Sequence, residues 1–364
     1  MRLRIGFTGK KGLILATVNI ALVFAFIASI AASRSIRDAL RSQQAAVAWA
    51  GQSEERFAQI SAFLPRGAVF DENSIRSFRE TVDRALVDAS IEADQGRSLY
   101  TDAWSAVSET YVVGDRGSAN AQVYGVGGDF FLFHPLHLRD GSYFSQSDLM
   151  KDRVILDEEL AWRLFGSVYL EGLSVRINNR PYFIAGVISR ESDKASSIAY
   201  TGGAGMFMSY EALDELTGGS AEIICYEIVL PDPISGFAVK TFSDRFPVRS
   251  AAIMENSARY TFESIFRILS TFGVRSMRAD GIVYPYWENA ARYTEDWLAL
   301  LLVLSFVSFA FPAICTVVWF IKAIRRLIWG GKHSLRRVIE QREERKAEEY
   351  KNTIVGAGFH ARPK

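Results

Sequence analysis

Two histidines separated by a proline and a leucine, His134-Pro-Leu-His137, are the first residues of this 364-residue sequence whose types and spacing invite chemistry. A pair of imidazoles can share a metal, but structural zinc takes four ligands, and no cysteine or acidic pair stands beside these two. Packed or surface histidines are the better reading. Asp157, Glu158 and Glu159 are three consecutive carboxylates, raw material for general acid–base catalysis. They stand directly before "LAWRLFG", however, where a cap and acids facing the helix dipole explain them fully. Gly202-Gly203-Ala204-Gly205 is flexible enough to wrap a phosphate. That run leads into a strand, whereas a phosphate cradle opens a helix that follows one. No nucleophile is paired with a base. The sequence reads as non-enzymatic, with no cofactor and no metal site.

The elements around these residues form a recognisable local grammar. "RVIL" is a short buried strand, Asp157 caps the helix "EELAWRLFG", Leu160, Leu164 and Phe165 face a core, and Gly166 closes the helix. "LSVRI" and "PYFIAGVI" then make a hairpin through Asn178-Asn179, residues that tolerate positive φ. Upstream, 71–93 opens with Asp71 and places Ile75, Phe78, Val82, Leu86 and Val87 at helical spacing. Strands are expected at 110–114 and 121–126, a strand and helix across 205–218, a strand at 222–233, a helix at 234–246 and a longer one at 255–275. Strands alternating with helices indicate a mixed α/β domain.

This domain sits between two apolar stretches. Residues 13–33 and 297–321 carry no charge, and about twenty apolar residues suffice to cross a bilayer as a helix. Asn19 and Pro312 fall inside them, as a tolerated polar residue and a kink. The first stretch exceeds the 7–15 residues usual for a signal-peptide core, which favours an uncleaved anchor. The overall charge of +1 is unevenly spread: +4 over 1–12, +7 over 322–364, and −10 between. Basic outer flanks place both termini in the cytoplasm of a two-pass cell-membrane protein and argue against nucleic acid as a partner. Tyr284, Tyr286, Trp287, Tyr293 and Trp297 suit an aromatic belt at the headgroups. Cys225 lies in the outer domain and Cys315 in the second span, so no disulfide joins them. The expected divisions are a basic N-terminus 1–12, a span 13–33, a stalk helix 34–64, an outer domain 65–296, a span 297–321 and a basic tail 322–364.

The stretch 123–187 resembles the periplasmic core domain of MacB/FtsX-type ABC transporter permeases. The resemblance rests on Gly125, Val126, Phe130 and Phe131, then on Gly141, Phe144, Ser145 and Asp148. It continues through Leu156, Glu159, Leu160, Ala161, Leu164, Phe165 and Gly166, and ends on Gly172, Val175, Ile177, Asn178, Asn179, Phe183, Gly186 and Val187. Loosely, it covers 120–250. It implies an α+β extracytoplasmic domain of that type flanked by two transmembrane helices, with a helical cytoplasmic tail. It also implies a cytoplasmic ABC ATPase, a fuller permease subunit or a second copy of the chain as partners. Family members usually continue through three spans after the outer domain, where this sequence offers one, and their "P-x-G" becomes Leu170-Glu171-Gly172. The phosphate-binding pattern G-x-x-x-x-G-K-[ST] does not occur in the sequence, so ATP hydrolysis is assigned to another chain.

The tail is the candidate partner surface. Arg325 and Arg326, set among Ile324, Leu327, Ile328 and Trp329, suit the inner lipid leaflet, where each basic residue contributes on the order of 1 kcal/mol. Gly330-Gly331 is expected to break the helix. Beyond it, Leu335, Val338 and Ile339 form the apolar stripe of an otherwise charged helix, which reads as a solvated helix that enforces topology or as a coupling element whose stripe docks an ATPase or a permease partner. The functional expectation is a non-catalytic permease-like subunit of an ABC-type complex. The alternative is a two-span receptor or assembly factor with no ATPase partner.

Overall fold

A computed structural model describes residues 10–92, 98–200, 205–271, 278–279 and 281–358. The first half of the chain runs α1 (Lys10–Ala39), α2 (Ala45–Ala50), β1 (Phe57–Phe63), α3 (Glu72–Asp88), β2 (Thr101–Val113), β3 (Ser118–Gly128), α4 (Phe130–Phe133), β4 (His137–Gly141), β5 (Arg153–Asp157) and α5 (Glu158–Phe165). It continues β6 (Ser174–Ile177), β7 (Arg180–Ser189), α6 (Lys194–Ala199), β8 (Gly205–Ser209), α7 (Tyr210–Leu216), β9 (Ile223–Pro231), α8 (Phe237–Arg245), β10 (Ala252–Glu255) and α9 (Phe262–Thr271). The short pair β11 (Arg278–Ala279) and β12 (Ile282–Val283) precedes α10 (Tyr286–Gly358).

Residues Ala31–Leu302 make one compact unit, and Met1–Ile30 with Val303–Lys364 make another. The larger unit is built on a mixed sheet in the order β10-β1-β9-β2-β3-β8-β5-β7-β4, with β6 bridging β2 and β7. Pairings β3–β8 and β5–β7 are parallel; the rest of that path is antiparallel. Because strand side chains alternate, each strand feeds two cores. Ile60, Ala62, Trp104, Val123, Leu156 and Ile228 face α3, α5, α7 and α8 in one. Phe63, Ala103, Tyr124, Ile155, Phe207 and Val229 face α2, α4, α6 and the start of α10 in the other. Layers of helix on both faces of one sheet give the expected α+β domain.

Local chemistry explains the elements the sequence announced. Asp71 accepts from Ser74 N at 2.8 Å and starts α3. Asp157 accepts from Leu160 N at 2.7 Å and starts α5, which Gly166 ends in the left-handed region. Asn178 and Asn179, at φ 49° and 65°, turn β6 into β7.

Four expectations are corrected. Residues 34–64 are not one stalk helix: α1 stops at Ala39, and Phe57–Phe63 is a strand between β10 and β9. A strand buried on both faces has no polar face to betray its period. The 255–275 helix begins later, because Glu255 ends β10 and 256–261 is irregular; the described residues are helical over Phe262–Thr271, and 272–275 lie outside them. Tyr284, Tyr286 and Trp287 are buried in the second core rather than set in an interfacial belt, since their rings cover the open face of the sheet. Gly330-Gly331 does not break the helix, which runs through to Gly358. Flanking residues of good helix propensity carry it across.

Candidate functional site

The tail residues singled out from the sequence lie along α10 with little around them. Arg325 and Arg326 are exposed, as are Val338 at 57% and Ile339 at 50%. Leu335 belongs to the same helix, but its side chain lies outside the described residues. About 18 Å of helix separates Arg326 from Val338, so the basic pair and the apolar pair form two patches rather than one.

The larger unit concentrates its polar chemistry in its interior. Arg259, between β10 and α9, is 3% exposed. Its Nε donates to Glu295 Oε1 at 2.6 Å, while Nη1 and Nη2 donate to the two oxygens of Glu288 at 2.6 and 2.8 Å. Arg292 Nε adds a bond to Glu288 at 2.8 Å. Glu288, Arg292 and Glu295 are four and three residues apart, so one face of α10 presents all three. Burial works against the Arg259 charge, but the two carboxylates outweigh it and hold its pKa well above the ordinary value. The cluster clips the first turns of α10 to the chain leaving β10.

A second network involves one of the two candidate histidines. His134 is buried between the rings of Phe130 and Trp287, with centroids at 4.5 and 4.4 Å. Its Nε2 meets Glu227 Oε2 at 2.5 Å, and Ser61 Oγ donates to the other Glu227 oxygen at 2.7 Å. Serine, histidine and acid are present, yet the serine bonds the acid instead of the imidazole. A nucleophilic triad needs the hydroxyl on the base. With all three residues 3% exposed or less, the group serves as internal structure. His137 lies exposed on β4, so the two histidines are not brought together. Among the described residues no cluster of three or more His, Cys, Asp or Glu could hold a metal.

The carboxylate trio resolves in the same way. Asp157 Oδ2 accepts from Gly205 N at 2.6 Å and from Arg190 Nε and Nη2 at 2.9 and 2.6 Å. Burial raises its pKa, offset by the Leu160 amide and Arg190. Glu158 and Glu159 are partnered by Arg139 and Arg163 at the surface. Residues 201–204 of the glycine-rich run lie outside the described residues, and Gly205 begins β8 as expected. A further buried acid, Asp102, receives two bonds from Arg79 at 2.7 and 2.6 Å and one from Tyr226 at 2.7 Å.

Sequence reasoning missed Asp102, Glu227 and Arg259. The first two stood out in principle, since an acid inside an apolar strand ("TDAWSAV", "CYEIVL") signals a buried, partnered charge. Arg259 sits in a polar stretch with no periodicity and gave no local signal.

Several of the residues that carried the family resemblance are packing residues. Gly141 has φ +70°, and a Cβ there would lie 2.0 Å from Ala185 O. Gly125 leaves room for Leu213 of α7. Leu160, Leu164 and Val175 are fully buried. They define a fold and do not carry chemistry.

Comparison with known proteins follows that reading. The MacB protein of Aggregatibacter actinomycetemcomitans, described as a macrolide export ATP-binding/permease protein, is 29% identical over 112 residues. The match covers 30% of this chain, and this chain spans about a sixth (17%) of that relative's length. The crystal structure of the periplasmic region of MacB from Actinobacillus actinomycetemcomitans superposes with a TM-score of 0.41 at 18% identity, covering 58% of this chain and 92% of that one. The extracellular domain of the noncanonic ABC-type transporter YknZ from Gram-positive bacteria gives 0.36 at 15%, covering 52% and 90%. The profile of the MacB-like periplasmic core domain matches residues 13–242, from the first apolar helix into α8. Spanning well over half of the sequence, that match places the chain in the MacB-like periplasmic core domain family.

Proposed function

We propose that this chain is a non-catalytic, permease-like subunit of an ABC-type transport complex. Its outer domain binds a partner or relays conformational change, and its tail meets a cytoplasmic ATPase. The observation that carries the reading is α10. One helix begins in the ion cluster of Glu288, Arg292 and Glu295, continues through the apolar stretch and ends in the basic tail. Two helices, Gly12–Ala39 and Tyr286–Trp329, contain stretches long and apolar enough to cross a membrane. The reading puts both termini in the cytoplasm and the sheet domain outside, supported by the basic flanks. The curated relative bears ATP-binding and permease functions in its name; this chain takes the permease-like share, and a separate ATPase does the hydrolysis. A fuller permease or a second copy completes the pathway. Arg325 and Arg326 rest on anionic lipid, and Leu335, Val338 and Ile339 form the docking stripe.

The test is a mild-detergent pull-down of the full chain from native membranes, beside a version ending at Gly331. Recovery of an ABC ATPase with the full chain and its loss on truncation is the expected result. If neither version brings an ATPase, the transporter reading fails and the receptor or assembly-factor reading replaces it.

A further inference from the structure

We propose that α9 is an interfacial helix, lying in the outer surface of the bilayer with Phe262 and Phe266 among the lipid chains. The proposal rests on the reading of 297–321 as a membrane span, and its test separates the two. On a helical wheel of 100° per residue, Phe262, Ile265, Phe266, Ile268 and Leu269 fill an arc of about 160°, with Glu263, Ser264, Arg267, Ser270 and Thr271 on the remainder. Among the described residues, α10 covers one part of that apolar arc. Ile265 is 5% exposed and, with Ile268 and Leu269, packs on Leu298, Ala299 and Leu302 of α10. On the other part, Phe266 is 58% and Phe262 62% exposed, their rings near-parallel at 6.1 Å.

Exposed phenylalanines taken singly are ordinary. Here the location of the packed side decides. Leu298, Ala299 and Leu302 are the opening turns of the apolar stretch, so whatever surrounds that end of the stretch also surrounds α9. From Trp297 to Leu302 the helix rises about 7 Å, within the 5–10 Å by which an interfacial helix buries its apolar face. Trp297, 39% exposed, lies at the same level as a belt residue. The exposed pair Glu263 and Arg267, bridged at 3.2 Å, remains on the wet side. Arg259, locked to Glu288 and Glu295 three residues before α9 begins, fixes the entry of the helix and hence its depth.

The test is spin-label accessibility on the full chain in phosphatidylcholine/phosphatidylglycerol nanodiscs. Cys315→Ser removes the half-buried thiol of the apolar stretch, and Cys225 is buried and left in place. Single labels go to Phe262→Cys, Phe266→Cys, Glu263→Cys and Ser270→Cys, with Val307→Cys, 64% exposed in the span, as reference. Molecular oxygen reports acyl chains and a nickel chelate reports water. The expected oxygen-to-nickel ratio is several-fold higher at 262, 266 and 307 than at 263 and 270; position 262 reads the same face should Phe266→Cys misfold. A high ratio at 307 with no contrast between 266 and 263 overturns the interfacial helix alone. Shielding of 266 from both reagents overturns it in favour of a protein partner. Nickel access at 307 overturns the membrane reading together with it.

Discussion

Replacing Arg259 by methionine removes the buried cation that Glu288 and Glu295 share in the larger unit. The guanidinium makes three bonds to Glu288 and Glu295 with distances of 2.6 to 2.8 Å, and the side chains are 1%, 1% and 4% exposed. Arg292 still holds Glu288 in the variant, so part of the compensation survives there. Removing one partner of a buried ion pair costs about 3–5 kcal/mol, mostly through the uncompensated charge left behind. For a unit of this size that is a fall of roughly 6–20 °C in the unfolding midpoint. Intrinsic tryptophan fluorescence of the full chain in detergent follows it, because Trp287 is buried one residue from the cluster. The decisive companion is Arg259→Met with Glu288→Gln and Glu295→Gln, which keeps the cavity filled but removes the charges. It is expected to recover most of the loss. A single variant within about 1 kcal/mol of the parent, or a triple variant no better than the single, would refute the account.

Three further outcomes are expected. Asp71→Ala removes the α3 cap and costs about 1 kcal/mol. Because the Ser74 amide and hydroxyl hold the Asp71 pKa below its usual 3.8, the contribution is present above that pH and is lost as pH falls through the lowered value. Parent and variant melts therefore converge in strong acid. Cys225 is buried, and burial reinforced by the Glu227 charge pushes its thiol well above the ordinary range. In a Cys315→Ser background it is expected to resist iodoacetamide at about pH 8 until the protein is denatured, as mass spectrometry would record; labelling of the folded chain would contradict the packing. Gly141→Ala puts a side chain at φ +70° against Ala185 O and is expected to cost more than about 1 kcal/mol in a denaturant melt.

How much of this was legible depended on whether a residue's role is local. Asp71, Asp157, Gly166 and the Asn178-Asn179 turn act on their neighbours within four residues, and each did what its type required. β1 did not announce itself, because "FAQISAF" is buried on both faces and sits between partners far along the chain. Tyr286 and Trp287 misled for a related reason. An aromatic with a polar tip suits a membrane interface and a sheet-covering layer equally well, and only the fold decides. In the candidate tail, exposure of Val338 and Ile339 followed from the flanking charges. The Arg259 cluster could not be read: Glu288, Arg292 and Glu295 share one face of α10, but only tertiary structure brings Arg259 to them.

The pairing of β1 bears on how the protein is made. Its partners on β9 lie 162 to 174 residues further along the chain, and those on β10 later still. At about 5–20 residues per second, roughly 10–30 s pass between synthesis of β1 and synthesis of the strand that completes it. Through that interval a seven-residue strand with two unpaired edges and an apolar sequence waits for its neighbours, the kind of segment most prone to mispairing. Chain growth and folding are thereby coupled: the sheet cannot close until β9 and then β10 have emerged, after most of the larger unit has been made. Phe57–Phe63 is thus the segment of the sheet that stays unpaired longest during synthesis.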